Sequence, residues 1–184
     1  MDAFARSGIN TVEGNLTIGG EDEENPVTNL DGLKNLVSVR CDLTITAAYT
    51  GETLAGLENL TACEALRIGS AAHPNEPLRQ LSLPALKEIK GDLCVYGTAL
   101  QTADFTSLQS VAGHFVLQSD ALLQLTADEL TTVAGNMTLI GTTADEAKAP
   151  CEQMYFPKLQ RIDGTLTLSR FDRLSGLGTT FGVL

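Results

Sequence analysis

The sequence predicts a mostly β protein, a right-handed parallel β-solenoid of about seven turns with one main parallel sheet. Three observations lead there. One phrase recurs seven times along the 184 residues, each copy carries a two-residue apolar alternation, and none of the six prolines falls in the strand part of a copy. Proline cannot donate to a strand ladder, so its exclusion from the strand phrases is what a continuous parallel sheet requires.

In full the phrase reads [LF]-x-x-L-x-x-[VI]-x-G-x-L-x-[ILV]. It is clearest in LVSVRCDLTI (Leu36 to Ile45), LKEIKGDLCV (Leu86 to Val95), LQSVAGHFVL (Leu108 to Leu117), LTTVAGNMTL (Leu130 to Leu139) and LQRIDGTLTL (Leu159 to Leu168). The first copy is INTVEGNLTI (Ile9 to Ile18). The third, LTACEALRI (Leu60 to Ile68), is one residue short: Cys63 takes the Val/Ile slot and the glycine is missing.

Each copy ends in a pair of apolar residues separated by one: Leu16/Ile18, Leu43/Ile45, Leu66/Ile68, Leu93/Val95, Phe115/Leu117, Met137/Leu139 and Leu166/Leu168. At an apolar frequency of 43%, fourteen apolar residues in fourteen slots is about a once-in-10⁵ outcome for a random chain. Period two places these side chains on one buried face of a strand. The strands recur every 22 to 29 residues, too short for a hairpin array with its own core and too regular for a βαβ domain, so each turn must bury its apolar face against the next. The glycine sits where the chain bends into the strand, where a residue without Cβ suits a bulge or tight corner. Residues 1–184 therefore read as a single repeat domain, with repeats over about 9–177 and a C-terminal end or partial cap at 178–184.

The phrase FPKLQRIDGTLTL (Phe156 to Leu168), with LDGLKNL (Leu30 to Leu36) and LAGLENL (Leu54 to Leu60), resembles the receptor L domain. That leucine-rich-repeat-like β-solenoid occurs in the ectodomains of insulin and EGF receptors and in bacterial and fungal surface proteins. The resemblance covers nearly the whole chain and implies a surface location and a ligand-binding sheet face. It carries no catalytic residues, and the chain lacks the tryptophan and the cysteine-rich neighbour of the receptor versions, so signalling is not implied.

Composition excludes other classes. With 23 acidic against 12 basic residues and a net charge of −11, phosphate-backbone binding is not expected. No apolar run reaches the ~18 residues of a membrane span. The chain shows no GxSxG, P-loop, HExxH or GxGxxG signature, so no catalytic residue, metal or cofactor is assigned. Asp42 and Asp92, two turns apart in the column preceding the strand pairs (Asn15, Asp42, Ala65, Asp92, His114, Asn136, Thr165), are the nearest approach to a glycosidase carboxylate pair. Solvated strand-leading residues are the favoured reading. The outward column Thr17, Thr44, Arg67, Cys94, Val116, Thr138, Thr167 is interrupted at three central turns, which argues against an ice-binding threonine lattice.

Individual residues at the central turns instead suggest recognition. The candidate binding patch is Arg67, Asp92, Tyr96, His114, Val116, Gln118 and Ile140, with Cys94 between them, a mix of aromatic, apolar and polar groups suited to an interface. Three longer connections, Gly19 to Thr28, Gly69 to Gln80 and Gly141 to Tyr155, leave the same end of their strands and should form a rim. The acidic run Glu21–Glu24 lacks a calcium-loop pattern. From Gly91 to Ala147 there is no Lys or Arg but seven carboxylates: Asp92, Asp104, Asp120, Asp128, Glu129, Asp145 and Glu146.

The function expected is a non-enzymatic binding module of a bacterial cell surface, or a secreted one, recognising a protein or glycan. The alternatives are a carbohydrate-active enzyme or its substrate-binding part, and a structural spacer in a larger surface protein. A signal or lipid anchor is expected to have been trimmed away, with the cytoplasm as the alternative location. An uncapped solenoid end leaves a homo-oligomer open. Cys41, Cys63, Cys94 and Cys151, without CxxC spacing, are expected as four free thiols.

Overall fold

A computed structural model describes residues 8–20, 26–141, 150–171 and 173–174. Every strand pairing in it is parallel, and three sheets run side by side along the solenoid. The strands expected from the alternating pairs form one seven-stranded sheet: Leu16–Ile18, Leu43–Ile45, Leu66–Ile68, Leu93–Tyr96, Phe115–Gln118, Met137–Ile140 and Leu166–Ser169. Leu16 faces Leu43, and the column continues through Leu66, Leu93, Phe115 and Met137 to Leu166. We call each such strand with its flanking corner a rung.

Two further sheets accompany the long one. Just ahead of each long strand a two-residue strand enters a second seven-stranded sheet: Thr11–Val12, Ser38–Val39, Ala62–Cys63, Glu88–Ile89, Ser110–Val111, Thr132–Val133 and Arg161–Ile162. A two-residue strand has too little length to display an alternation, so it is invisible to a period-two reading. The third side is a four-stranded sheet of Gln80–Ser82, Thr102–Asp104, Gln124–Thr126 and Gln153–Tyr155, extended by the bridge Thr53↔Gln80. Seven rungs stand on the long sheet, while about five turns are closed on all three sides.

The core is a set of aliphatic columns. Leu43, Leu66, Leu93, Phe115 and Met137 are fully buried on the long sheet, and Leu81, Ala103, Leu125 and Met154 point inward from the third. Between the third sheet and the short strands of the second lies the L-x-x-L part of the phrase. Leu30/Leu33, Leu54/Leu57, Leu83/Leu86, Phe105/Leu108, Ala127/Leu130 and Phe156/Leu159 are buried as pairs. In each the second residue donates its N–H to the carbonyl of the first, at 2.8–3.2 Å. This i to i+3 turn reverses the chain while both apolar side chains stay inside. Where tryptophan would otherwise fill space, three phenylalanines meet edge to face: Phe105 on Phe115 at 6.1 Å and Phe115 on Phe156 at 6.4 Å. Such pairs add modestly to the area that the rings bury.

The corner glycine proves to be needed for contact rather than for conformation. Gly113 donates to the carbonyl of Gly91, Gly135 to Gly113 and Gly164 to Gly135, at 2.9, 2.9 and 3.1 Å. Their backbones lie outside the left-handed region, which among the described glycines holds Gly8, Gly19, Gly56 and Gly69. A Cβ on Gly135 would stand 2.7 Å from the Gly113 carbonyl oxygen and 2.7 Å from the His114 imidazole. Backbone cannot yield there without breaking the ladder. Gly135→Ala should therefore cost about 1–3 kcal/mol of stability, read as a lower urea midpoint with an unchanged slope.

Candidate functional site

The strand-leading column is a working part of the fold. Asn15 Oδ1 accepts the backbone N–H of Asp42 at 3.1 Å, and Asp92 Oδ1 that of His114 at 2.8 Å. His114 Nδ1 accepts the N–H of Asn136 at 2.9 Å, and Asn136 Oδ1 that of Thr165 at 2.8 Å. Each side chain thus satisfies the donor of the rung above it at a corner where an unpaired backbone group would be costly. An imidazole accepting at Nδ1 carries its proton on Nε2, which leaves that nitrogen as the donor His114 can offer outward.

At the third rung the ladder breaks. The copy lacking one residue brings Ala65 to this position, where it is 2% exposed instead of facing outward as the column predicted. A methyl group cannot accept a hydrogen bond, and the Asp42 carboxylate below it pairs with the Arg67 guanidinium. The shortened corner also leaves a notch of about 240 Å³ between Arg40, Cys63, Glu64 and Lys90. Of the two carboxylates weighed as a catalytic pair, Asp42 is held by Arg67 and Asp92 by the His114 N–H.

The structure brings the predicted patch together on the outward face of the long sheet. Arg67 lies beside Cys94, Cys94 beside Val116 and Val116 beside Thr138. One position further along, Tyr96, Gln118, Ile140 and Ser169 form a second column. Asp92 and His114 lead the same strands. Arg67, Cys94, Tyr96, Val116, Gln118 and Ile140 are all half-buried by their neighbours in the sheet. Burial pushes the Tyr96 hydroxyl above its ordinary value of 10.0, so the phenol remains a neutral donor across the physiological range.

A larger concavity that the sequence did not indicate lies on the same face at rungs one to three. It holds about 600 Å³ and is lined by Thr17, Gly19, Thr44, Thr46, Gly69 and His73 among others. Its end wall comes from the Gly69–Gln80 connection, which is more ordered than a rim loop needs to be. Gly69, at φ +60, donates to Ile45 O. The chain re-enters the stack at Asn75, which is fully buried. Asn75 Nδ2 donates to the carbonyls of Thr46 and Tyr49, both at 3.0 Å, and its Oδ1 accepts the Leu78 N–H. A side-chain amide thereby replaces backbone partners that the excursion displaced. Most of the Gly141 to Tyr155 connection and the whole Glu21–Glu24 run lie outside the described residues, as do Asp145, Glu146 and the partial cap at 178–184.

The central acidic residues are spread around the coil instead of concentrated on one face. Asp92 leads the long sheet, while Asp104 sits on the third sheet and accepts from the Ser82 hydroxyl and from the Thr106 amide and hydroxyl. Glu129 bonds Lys158 at 2.7 Å. Among the described residues no group of three or more His, Cys, Asp or Glu is gathered as a metal would need. No protein-family model, curated protein or solved structure matches the chain.

All four cysteines are free thiols in the structure. Cys41 and Cys94 are half-buried, Cys63 and Cys151 buried. Burial first, and then the Asp42 and Glu64 carboxylates, push Cys63 from 9.0 up to about 12. Burial and Asp92 raise Cys94 as well, against a smaller lowering by Arg67. Ellman's reagent should therefore titrate two thiols in the folded protein and four in denaturant without reductant. For Cys63 the raised folded value means that ionisation favours the unfolded chain. This contribution to stability is complete below about pH 9 and fades as pH rises toward about 12. Cys63→Val should flatten that alkaline loss in pH-dependent denaturation curves.

Proposed function

We infer that the chain is a receptor-L-domain-like recognition module without catalytic activity, displayed on a bacterial cell surface or secreted, and that it binds a protein or glycan through the outward face of its long sheet. The observation that carries this reading is the register of the sheet. Arg67, Tyr96, Val116, Gln118 and Ile140 come from four different rungs, yet they adjoin in two side-by-side columns, with Asp92 and His114 in the strand-leading column beside them. Aromatic and arginine side chains surrounded by polar groups match the make-up of an interface core. The parallel ladder beneath them holds the backbone rigid, so binding would cost little ordering entropy. Thr17 and Thr44 to one side and Thr138 and Thr167 to the other flank the patch with small residues, giving a partner room to seat around it.

Protein and glycan ligands would use the patch differently. A glycan would stack a sugar face on Tyr96 and hydrogen-bond through Gln118, Asp92 and the His114 Nε2–H. A protein would also bury Val116 and Ile140. The carbohydrate-active-enzyme alternative gains little from Asp42 and Asp92, each of which commits one carboxylate oxygen to a bond within the fold.

Tyr96→Glu and Val116→Glu are informative because both side chains project outward, so the folded state should persist by circular dichroism and thermal melting. Each should weaken binding about tenfold or more to a ligand identified on a glycan array or by surface-proteome capture. Unchanged affinity in the double variant would reject the sheet face as the binding surface.

A further inference from the structure

The two ends of the solenoid carry a feature that packing within one chain leaves without a reason. A Cβ on Gly113, Gly135 or Gly164 would stand 2.8, 2.7 or 2.8 Å from the carbonyl oxygen of the glycine in the rung below. Gly14 holds the same corner in the first rung. It lies outside the left-handed region, and a Cβ there would meet nothing within 4 Å. Neither conformation nor contact requires glycine at this place among the described residues. A rung lying beneath it would.

The end rungs also match one another. The first comprises Thr11–Val12, the corner Glu13, Gly14, Asn15 and the strand Leu16–Ile18; the last comprises Arg161–Ile162, the corner Asp163, Gly164, Thr165 and the strand Leu166–Ser169. Both corners have the full three-residue length that the third rung lacks. Among the described residues both seven-stranded sheets end on these strands, and a strand at a sheet edge is able to pair with another chain. The end rungs keep Val12, Leu16, Ile162, Leu166 and Leu168 only partly covered, whereas Leu43, Leu93 and Phe115 are at 0% exposure.

We propose that a second copy of this chain docks head to tail, its first rung seated on the last rung of the copy below. The stack continues three inward columns with aliphatic residues, Leu16 over Leu166, Ile18 over Leu168 and Val12 over Ile162, and sets Thr17 over Thr167. Gly14 then lies over Gly164 as Gly164 lies over Gly135, and the Thr165 hydroxyl reaches the N–H of Asn15, extending the corner ladder between chains. Glu13 and Asp163 meet in one column, but each brings its own arginine, Arg40 at 2.9 Å and Arg161 at 2.6 Å. The contact is heterologous and does not close on itself, so assembly is open-ended.

Sedimentation velocity and light scattering across a concentration series test this. The average mass should climb past the dimer without a plateau as the concentration rises. Gly14→Val has open space in the single chain, so its circular dichroism and melting should equal those of the wild type. In the stack its side chain strikes the rung below, and the variant should stay monomeric at concentrations where the wild type is several-fold heavier. Thr17→Pro gives a second route to the same end. Leu16 and Ile18 direct their bonds to the second rung, through Leu16 N–H to Asp42 O and Thr46 N–H to Ile18 O, so the N–H of the alternate residue Thr17 faces the open edge. Three results would each overturn the proposal: a wild type that is monomeric at every concentration, a closed dimer, or a Gly14→Val variant that associates like the wild type.

Discussion

Everything in this molecule hangs on the hydrogen bond that each rung makes to the next at its corners. Flat stretches of a parallel stack look after themselves, because every strand residue finds a partner in the strand alongside. At a corner the chain changes direction and the donors can be stranded. Here the problem is met twice over. Glycine carbonyls and amides stack directly on one another, Gly91 to Gly113 to Gly135 to Gly164, and the next residue lends a side-chain acceptor to the rung above. The two solutions depend on each other. The His114 ring and the Asn136 amide occupy the volume that a Cβ on the following glycine would need.

This constraint bears directly on what the outward face can do. Asp92 and His114 belong both to the corner ladder and to the candidate binding patch, so a partner would meet groups already fixed by structural bonds. Their ligand-facing atoms are the ones the ladder leaves over: the second carboxylate oxygen of Asp92 and Nε2 of His114. Tyr96, Val116, Gln118 and Ile140 carry no such duty and are the positions where recognition can vary without cost to the stack. The shortened third copy marks the place where the corner loses a residue. Arg67 and Asp42 form an ion pair there, next to the notch that the missing residue opens.

The described end rungs repeat the corner and the inward apolar residues of the rungs between them. That likeness links the corner glycine of the first rung to the proposed self-association, in which one end rung seats on another as neighbouring rungs do within the chain.

The long sheet and its inward columns were legible in the residues alone, since strict alternation at Leu93/Val95 or Met137/Leu139 has no other economical explanation once it recurs seven times. The outward patch was legible for the same reason: period two assigns every second residue to the opposite face. What the sequence could not reveal was the second and third sheets, whose strands of two or three residues are too short to show a period. Nor could it assign Asp92 and His114 to the ladder, because a side chain and a backbone N–H 22 residues apart meet only after the coil has closed. Even the recurring glycine was read for its conformational freedom, when its reason is a neighbouring backbone that only stacking brings within reach. The sequence by itself determined the repeat and the face each residue takes, both local consequences of backbone geometry. Tertiary structure decided which outward polar groups hold the fold together and which remain for a partner, because that choice depends on distances between rungs.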